Sequence, residues 1–252
     1  MRRFIESTSF FLLMLVIWQL LVLTHVWSPP SPLDVGSWLF HSAGDGTMLP
    51  ALTITCRRLL IGYVVGVCVG IPLGLLTARF RLAYDTLGVV GLGFQTLPSV
   101  CWVPLALLWF EQQDVAMLFV VLMGTIWPVS LSTHTGVRNV PTLYTRAAVT
   151  MGSEGLHTWR RVIVPAALPV IIGGLKLGWA FAWRSLMAAE IYVTASDHLG
   201  LGQLLHKGRL AGSLSQVIGV MIIIMTIGLI ADKILFSPWE RYLQRRWGTA
   251  RA

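Results

Sequence analysis

Charge is what this chain has least of. Only 12% of its 252 residues are Asp, Glu, Lys or Arg, and only 11 are acidic, where a soluble domain carries about a quarter charged residues. So few charges cannot solvate a surface all round, and with 55% hydrophobic residues the chain reads as an integral membrane protein. Cysteine is scarce as well: Cys56, Cys68 and Cys101 are odd in number and far apart, so no disulfide or metal framework is implied. The histidines His25, His41, His134, His157, His198 and His206 show no i, i+4 pairing and no cysteine partners, so no metal site is expected. Nucleotide loops of the G-x-x-x-x-G-K-[ST] type, H-E-x-x-H and G-x-S-x-G are all missing, and Gly200-Leu201-Gly202 is too short for a dinucleotide fingerprint. No enzyme and no resident cofactor are read here; any fuel must be consumed by another subunit. The polar-apolar alternation of an outer-membrane barrel is also absent.

What is present is long apolar runs. A helix needs about 20 mainly apolar residues to cross the hydrocarbon layer, and it satisfies its backbone internally. Phe10 to Trp27, Thr53 to Thr77, Val115 to Ser132, Leu168 to Thr194 and Leu214 to Phe236 qualify. In the second, Arg57 and Arg58 place the apolar start at Leu59. A sixth run, Leu82 to Phe110, holds Pro98 and Pro104 and is expected to break near Leu97-Pro98-Ser99. The expectation is an all-α polytopic protein of about six spans, a single domain over residues 1–252 with core spans over about 53–236. The N-terminal Met-Arg-Arg resembles the start of a signal peptide, but the run after it is long and ends at Trp27-Ser28-Pro29-Pro30 without a cleavage pattern, so it is read as a retained span.

Twelve of the 19 Lys and Arg residues, among them Arg79, Arg81, Arg138, Arg160 and Arg161, fall on one side if the N-terminus is inside, against Arg57, Arg58, Lys207 and Arg209 outside. By the positive-inside rule both termini are cytoplasmic. The net charge of +8 is therefore topological, and no nucleic-acid motif accompanies it.

Gly62, Gly66, Gly70 and Gly74 recur every four residues in the second span, as do Gly174, Gly178 and Ala182 in the fifth. Each set forms a small-residue stripe along which a helix, in this chain or another subunit, can approach closely. The loop 138–165 is polar and patterned. Pro141 suits a first helical turn, Gly152-Ser153-Glu154 stops and restarts, and Leu156 to Ile163 carries Trp159, Arg160 and Arg161. Two short helices around a glycine hinge are expected, with Pro165 and Pro169 ending the second. Such a pair is marginal alone; either a protein surface holds it, or Trp159 and the arginines anchor it at the lipid interface.

Arg184 and Glu190 lie within the fifth span, where charges face a cavity or a partner. Six residues separate them, so they point apart around the helix. Arg184 either offers positive charge to an anionic solute, with Trp183 beside it, or snorkels or pairs elsewhere. The segment Asp197 to Ser213, with His206, Lys207 and Arg209, is either a docking surface or a solvated linker.

The loop residues resemble a known family. In permease subunits of bacterial ABC importers a cytoplasmic loop follows E-A-A-x3-G-x9-I-x-L-P; Ala147, Ala148, Gly152 and Pro165 match at that spacing, with Val162 and Val164 as conservative replacements, while Arg146 stands in place of the acid. The resemblance runs from about Leu49 to Arg246 and looks closest to the nitrate, sulfonate and taurine branch. It implies a transport subunit of the inner membrane, working as a dimer, with ATP bound by separate cytoplasmic ATPase subunits on the coupling loop (Arg146, Ala147, Ala148, Gly152, Trp159, Arg160, Pro165). It also implies an extracytoplasmic binding protein delivering solute to a pathway to which Trp183, Arg184 and Glu190 are assigned. The alternatives are a secondary transporter, which would want coupling carboxylates such as Glu190 or Asp232, and a membrane anchor for another complex.

Overall fold

The computed structural model describes residues 13–14, 16–22, 30–193, 199–239 and 242. Residues 16–22 are helical; residues 10–12, 15 and 23–27 of the expected first span lie outside the described residues. Helices account for the rest of the architecture: α1 (Pro32–Gly44), α2 (Met48–Arg79), α3 (Arg81–Thr96), α4 (Ser99–Trp109), α5 (Gln113–Arg138), α6 (Thr142–Thr150), α7 (Gly155–Tyr192), α8 (Leu201–Leu210) and α9 (Leu214–Trp239). No strand occurs among the described residues. Four helices, α2, α5, α7 and α9, are each long and apolar enough to cross a membrane, and α3 with α4 form a fifth candidate bent by 100°. The break falls at Leu97-Pro98, as the prolines predict. Pro98 is extended, and the Cys101 amide donates to its carbonyl at 2.9 Å to start the new helix.

Helix α5 is the centre, with α2 on one side and α7 on the other. The glycine stripe of α2 meets it in register: a Cβ on Gly62, Gly66 or Gly74 would stand 2.6 Å from Val121, Thr125 or Thr133 side-chain atoms, or closer still to backbone, and one on Gly70 would be 3.0 Å from Val129. Thus the stripe faces a neighbour within this chain. On the opposite side Gly174 and Gly178 of α7 sit against Ser132 and Val129 of α5, and Ala182 is fully buried. Between membrane helices the lipid supplies no hydrophobic drive, so stability comes from such close van der Waals approach.

Two expectations are corrected. Arg58 reads in the sequence as an outer-side charge ahead of the apolar start at Leu59; α2 begins at Met48, and Arg58 is inside the helix and 3% exposed, because acids on other helices pair with it. Pro165 and Pro169 were expected to end a helix, yet α7 runs unbroken for 38 residues, about 57 Å. A π-type turn at Trp159–Ile163 immediately precedes Pro165, and its wider spiral re-registers the ladder where the proline lacks an N–H. Pro72 and Pro128 are likewise carried inside α2 and α5.

Helix α1 lies against α9 near α8 and starts with a capping box in which the Ser31 hydroxyl accepts from the Asp34 amide and the Ser31 amide donates to the Asp34 carboxylate. The Ser31 hydroxyl and amide, both donating to the Asp34 carboxylate, hold that carboxyl below the usual carboxylate range. The bundle thus has an α6 end and an α8 end.

Candidate functional site

At the α6 end, residues 142–158 form the helix pair anticipated from the sequence. Helix α6 stops in a Schellman cap: the Ser153 amide donates to the Ala148 carbonyl at 2.9 Å and the Gly152 amide to Val149 at 2.9 Å, with Gly152 at φ +82°, a conformation that costs glycine little. Ala148 is 3% exposed, at the seam where α6 rests on the first turns of α7; a larger side chain would lift the helix. Arg146, Ala147 and Arg160 are exposed, and Leu143, Val149, Met151 and Leu156 are each more than half exposed. Trp159 does not lie out along an interface. It packs into the cluster of Ala78, Val137, Ala167 and Ile171, with the Arg79 guanidinium 5.7 Å from its ring centroid. Pro165 follows the π-type turn, so the pattern that carries the family resemblance is a rigid joint between α6 and α7.

Midway along the bundle, the break between α3 and α4 meets α7. The Ser185 hydroxyl donates to the Ser99 hydroxyl at 2.8 Å, and Ser185 fits there because Gly124 of α5 has no side chain. Arg184, next along α7, is exposed, with its guanidinium 5.6 Å from the Phe181 ring centroid. Among the described residues no carboxylate pairs with it. Trp183 turns the other way and packs with Leu59, Leu186, Leu201 and Val220.

Glu190 lies at the α8 end, fully buried. The Arg58 guanidinium reaches it at 3.1 Å and Asp114 at 2.6 Å, Asp114 being 47% exposed. The Thr55 hydroxyl donates to both Glu190 oxygens at 3.0 Å and accepts from the Leu201 amide at 2.9 Å. The Gly202 amide donates to Glu190 Oε2 at 2.9 Å. The Gly200 amide donates to Gln203 Oε1, while Gln203 Nε2 donates to the Val193 carbonyl, both at 2.8 Å. The buried Glu190 carboxylate therefore pairs with Arg58 and accepts from the Gly202 amide in the first turn of α8, where the helix dipole favours an anion, while the Thr55 hydroxyl takes the Leu201 amide. The result is a clamp joining α2, α5, α7 and α8.

Chemically the arrangement divides the three assigned pathway residues. Arg184 alone presents an uncommitted charge; Glu190 is spent on the clamp and Trp183 on packing. The sequence reading missed Arg58, Asp114, Thr55 and Gln203. The signal was there: two opposite charges inside apolar runs predict a pair, but helix spacing says only that Glu190 does not face Arg184. A second pair, Lys176 to Asp232 at 2.9 Å, links α7 to α9. No metal-holding cluster of His, Cys, Asp or Glu occurs among the described residues.

Residues 70–248 match the family described as binding-protein-dependent transport system inner membrane component. A putative ABC transporter permease protein of Methanocaldococcus jannaschii is 32% identical over 91% of this chain and 88% of its own length. The nitrate import permease protein NrtB of Leptolyngbya laminosa is 27% identical over 93% of this chain and 86% of its own. The bicarbonate transport system permease protein CmpB of Synechococcus elongatus is 26% identical over 92% and 86%. Among solved structures, a chain of the MetNI methionine ABC transporter in an inward-facing conformation superposes with a TM-score of 0.57 at 17% identity, covering 71% of this chain and 90% of that one. At that identity the likeness speaks for the fold alone.

Proposed function

Because the chain belongs to the binding-protein-dependent transport system inner membrane component family, we propose that it is the pathway-forming permease of an ATP-driven importer for a small anion. In this reading the α6 end faces the cytoplasm and both termini lie there. Two copies line the path, cytoplasmic ATPase subunits grip α6, and an extracytoplasmic binding protein delivers solute at the α8 end. The carrying observation is the α6 joint. A short helix with Leu143, Val149 and Met151 exposed beside Arg146, locked by Gly152 to the start of a 38-residue span, is built to be pushed. An outside protein that binds its two positions unequally would shift the bundle between two states. ATP itself stays with the partners.

Anion transport is supported by Arg184, a cation at membrane depth that no acid neutralises among the described residues, and by relatives named for nitrate and bicarbonate. A secondary transporter is disfavoured, since Glu190 and Asp232 are both held in ion pairs.

The experiment is reconstitution of the chain with its ATPase and binding protein in liposomes. Uptake is expected to stop with vanadate, and Arg184→Lys, Arg184→Gln and Arg184→Ala are expected to lower it in that order at equal expression. Vanadate-insensitive uptake overturns the importer reading; wild-type uptake by all three variants removes Arg184 from the path.

A further inference from the structure

A recess of about 200 Å³ opens between α3, α5 and α7, walled by Gln95, Pro128, Leu131, Ser132, Thr135 and Val170. Three of these walls are polar. Among the described residues, none of the Gln95, Ser132 and Thr135 side chains has a hydrogen-bond partner. Elsewhere the hydroxyls of Thr53, Thr86, Thr96, Thr125 and Thr226 each donate to a carbonyl three or four residues earlier, the usual way a helical threonine settles its hydroxyl in apolar surroundings, while Thr133, next to Ser132 on α5, is buried without a partner. An amide or hydroxyl left unpaired in hydrocarbon costs several kcal/mol, and such groups are kept in a span where water or a polar ligand reaches them.

The recess lies on the same side of α7 as Arg184. Val170 and Arg184 are 14 residues apart, about 40° short of four full turns and about 21 Å along the axis, and the exposed Gly173 and Leu177 fall between them on that stripe. Gln95 stands three residues before Pro98, at the break that touches Ser185. We propose that Gln95, Ser132 and Thr135 form a second polar station of the solute path, on the α6 side of Arg184, for a small oxyanion. No acid walls it, so an anion is not repelled, and two hydroxyls with one carboxamide N–H₂ can donate to its oxygens. Neutral donors hold an anion more loosely than a guanidinium does, which suits a station that must let go. Its volume of about 200 Å³ is roughly that of six or seven waters at about 30 Å³ each, room for a solute of a few heavy atoms with some hydration.

The inference rests on the permease reading, and the two are tested separately. With Cys56, Cys68 and Cys101 replaced by Ser, single cysteines are placed as Ser132→Cys, Thr135→Cys and, as a control at an exposed site whose hydroxyl is bonded to its own helix, Thr226→Cys. The assembled complex in nanodiscs is treated with methanethiosulfonate ethylsulfonate, a small sulfonate anion that reacts only with hydrated thiolate. Labelling at 132 and 135 is expected to be at least tenfold faster than at 226, and to change when nucleotide is trapped. Rates at both positions no faster than at 226 in every nucleotide state, while the wild-type complex takes up solute, overturn the station and leave the permease reading standing; they would mean that lipid or the second copy covers the recess. Absence of ATP-dependent uptake by the wild-type complex defeats the permease reading and the station with it. Two positions keep the test open should one substitution fail to assemble.

Discussion

Arg58 and Glu190 are the two buried ions among the described residues, at 3% and 0% exposure, and neither is tolerable without the other. Taking both from water costs several kcal/mol each, returned only because the pair is close and its remaining donors and acceptors are filled by Thr55, Asp114 and the Gly202 amide. Removing one member strands the other. Arg58→Leu should therefore lower stability by about 3–5 kcal/mol, read as a fall in the detergent melting temperature of the purified chain. The double variant Arg58→Leu/Glu190→Leu should lose much less than the sum of the two single losses, because no orphaned charge remains. Additive losses in that cycle would mean the two side chains do not act as a pair. Lys in place of Arg58 is not an equivalent, since the guanidinium contacts Asp114 through Nε and one terminal nitrogen and Glu190 through the other, a fork that an ammonium does not reproduce.

Among the elements, the α2–α5–α7 sandwich depends on what its glycines lack. Adding a side chain at Gly66 would drive a Cβ to 2.6 Å from Thr125 Cβ and force two spans apart over their whole contact. Gly173, one residue from the packed Gly174, meets nothing within 4 Å. Gly66→Leu is accordingly expected to destabilise by about 1–3 kcal/mol or more through overpacking, while Gly173→Ala is expected to be neutral or slightly stabilising through helix propensity; detergent melting of both variants checks the contrast. The stripe was legible in the sequence as a face for close approach, though not which helix it meets, and so was the break at Leu97-Pro98. The continuity of α7 was not. Pro165 and Pro169 read as stops in one dimension, and only a π-type turn formed around Trp159, itself held by Ala78 and Val137 of other helices, lets the helix run through them. The clamp was half legible for the same reason: each charge was visible in its run, but the partner of each lies 132 or 56 residues away.

For the whole molecule, α7 is the one element that touches every functional feature: α6 at its first turns, Arg184 and the Ser99 junction midway, and the Glu190 clamp on α8 at its far end. On the proposed reading, in which partner subunits grip both ends, a continuous helix of about 57 Å carries a push on α6 to α8 only while the joint between α6 and α7 holds. That joint rests on two small residues. Gly152 occupies φ +82° and donates its amide to Val149; proline can do neither, its φ being fixed near −65° and its nitrogen bearing no hydrogen. Ala148 fills the seam, and a bulky residue there would pry α6 away. On the importer reading proposed above, Gly152→Pro and Ala148→Trp are expected to cut solute uptake by tenfold or more while the ATPase subunits proposed to grip α6 still hydrolyse ATP, because only the lever between them and the bundle is lost. The measurement is uptake and hydrolysis in the same proteoliposomes: variants of the joint that keep the wild-type ratio of solute moved to ATP consumed would show that force does not pass through α6 at all.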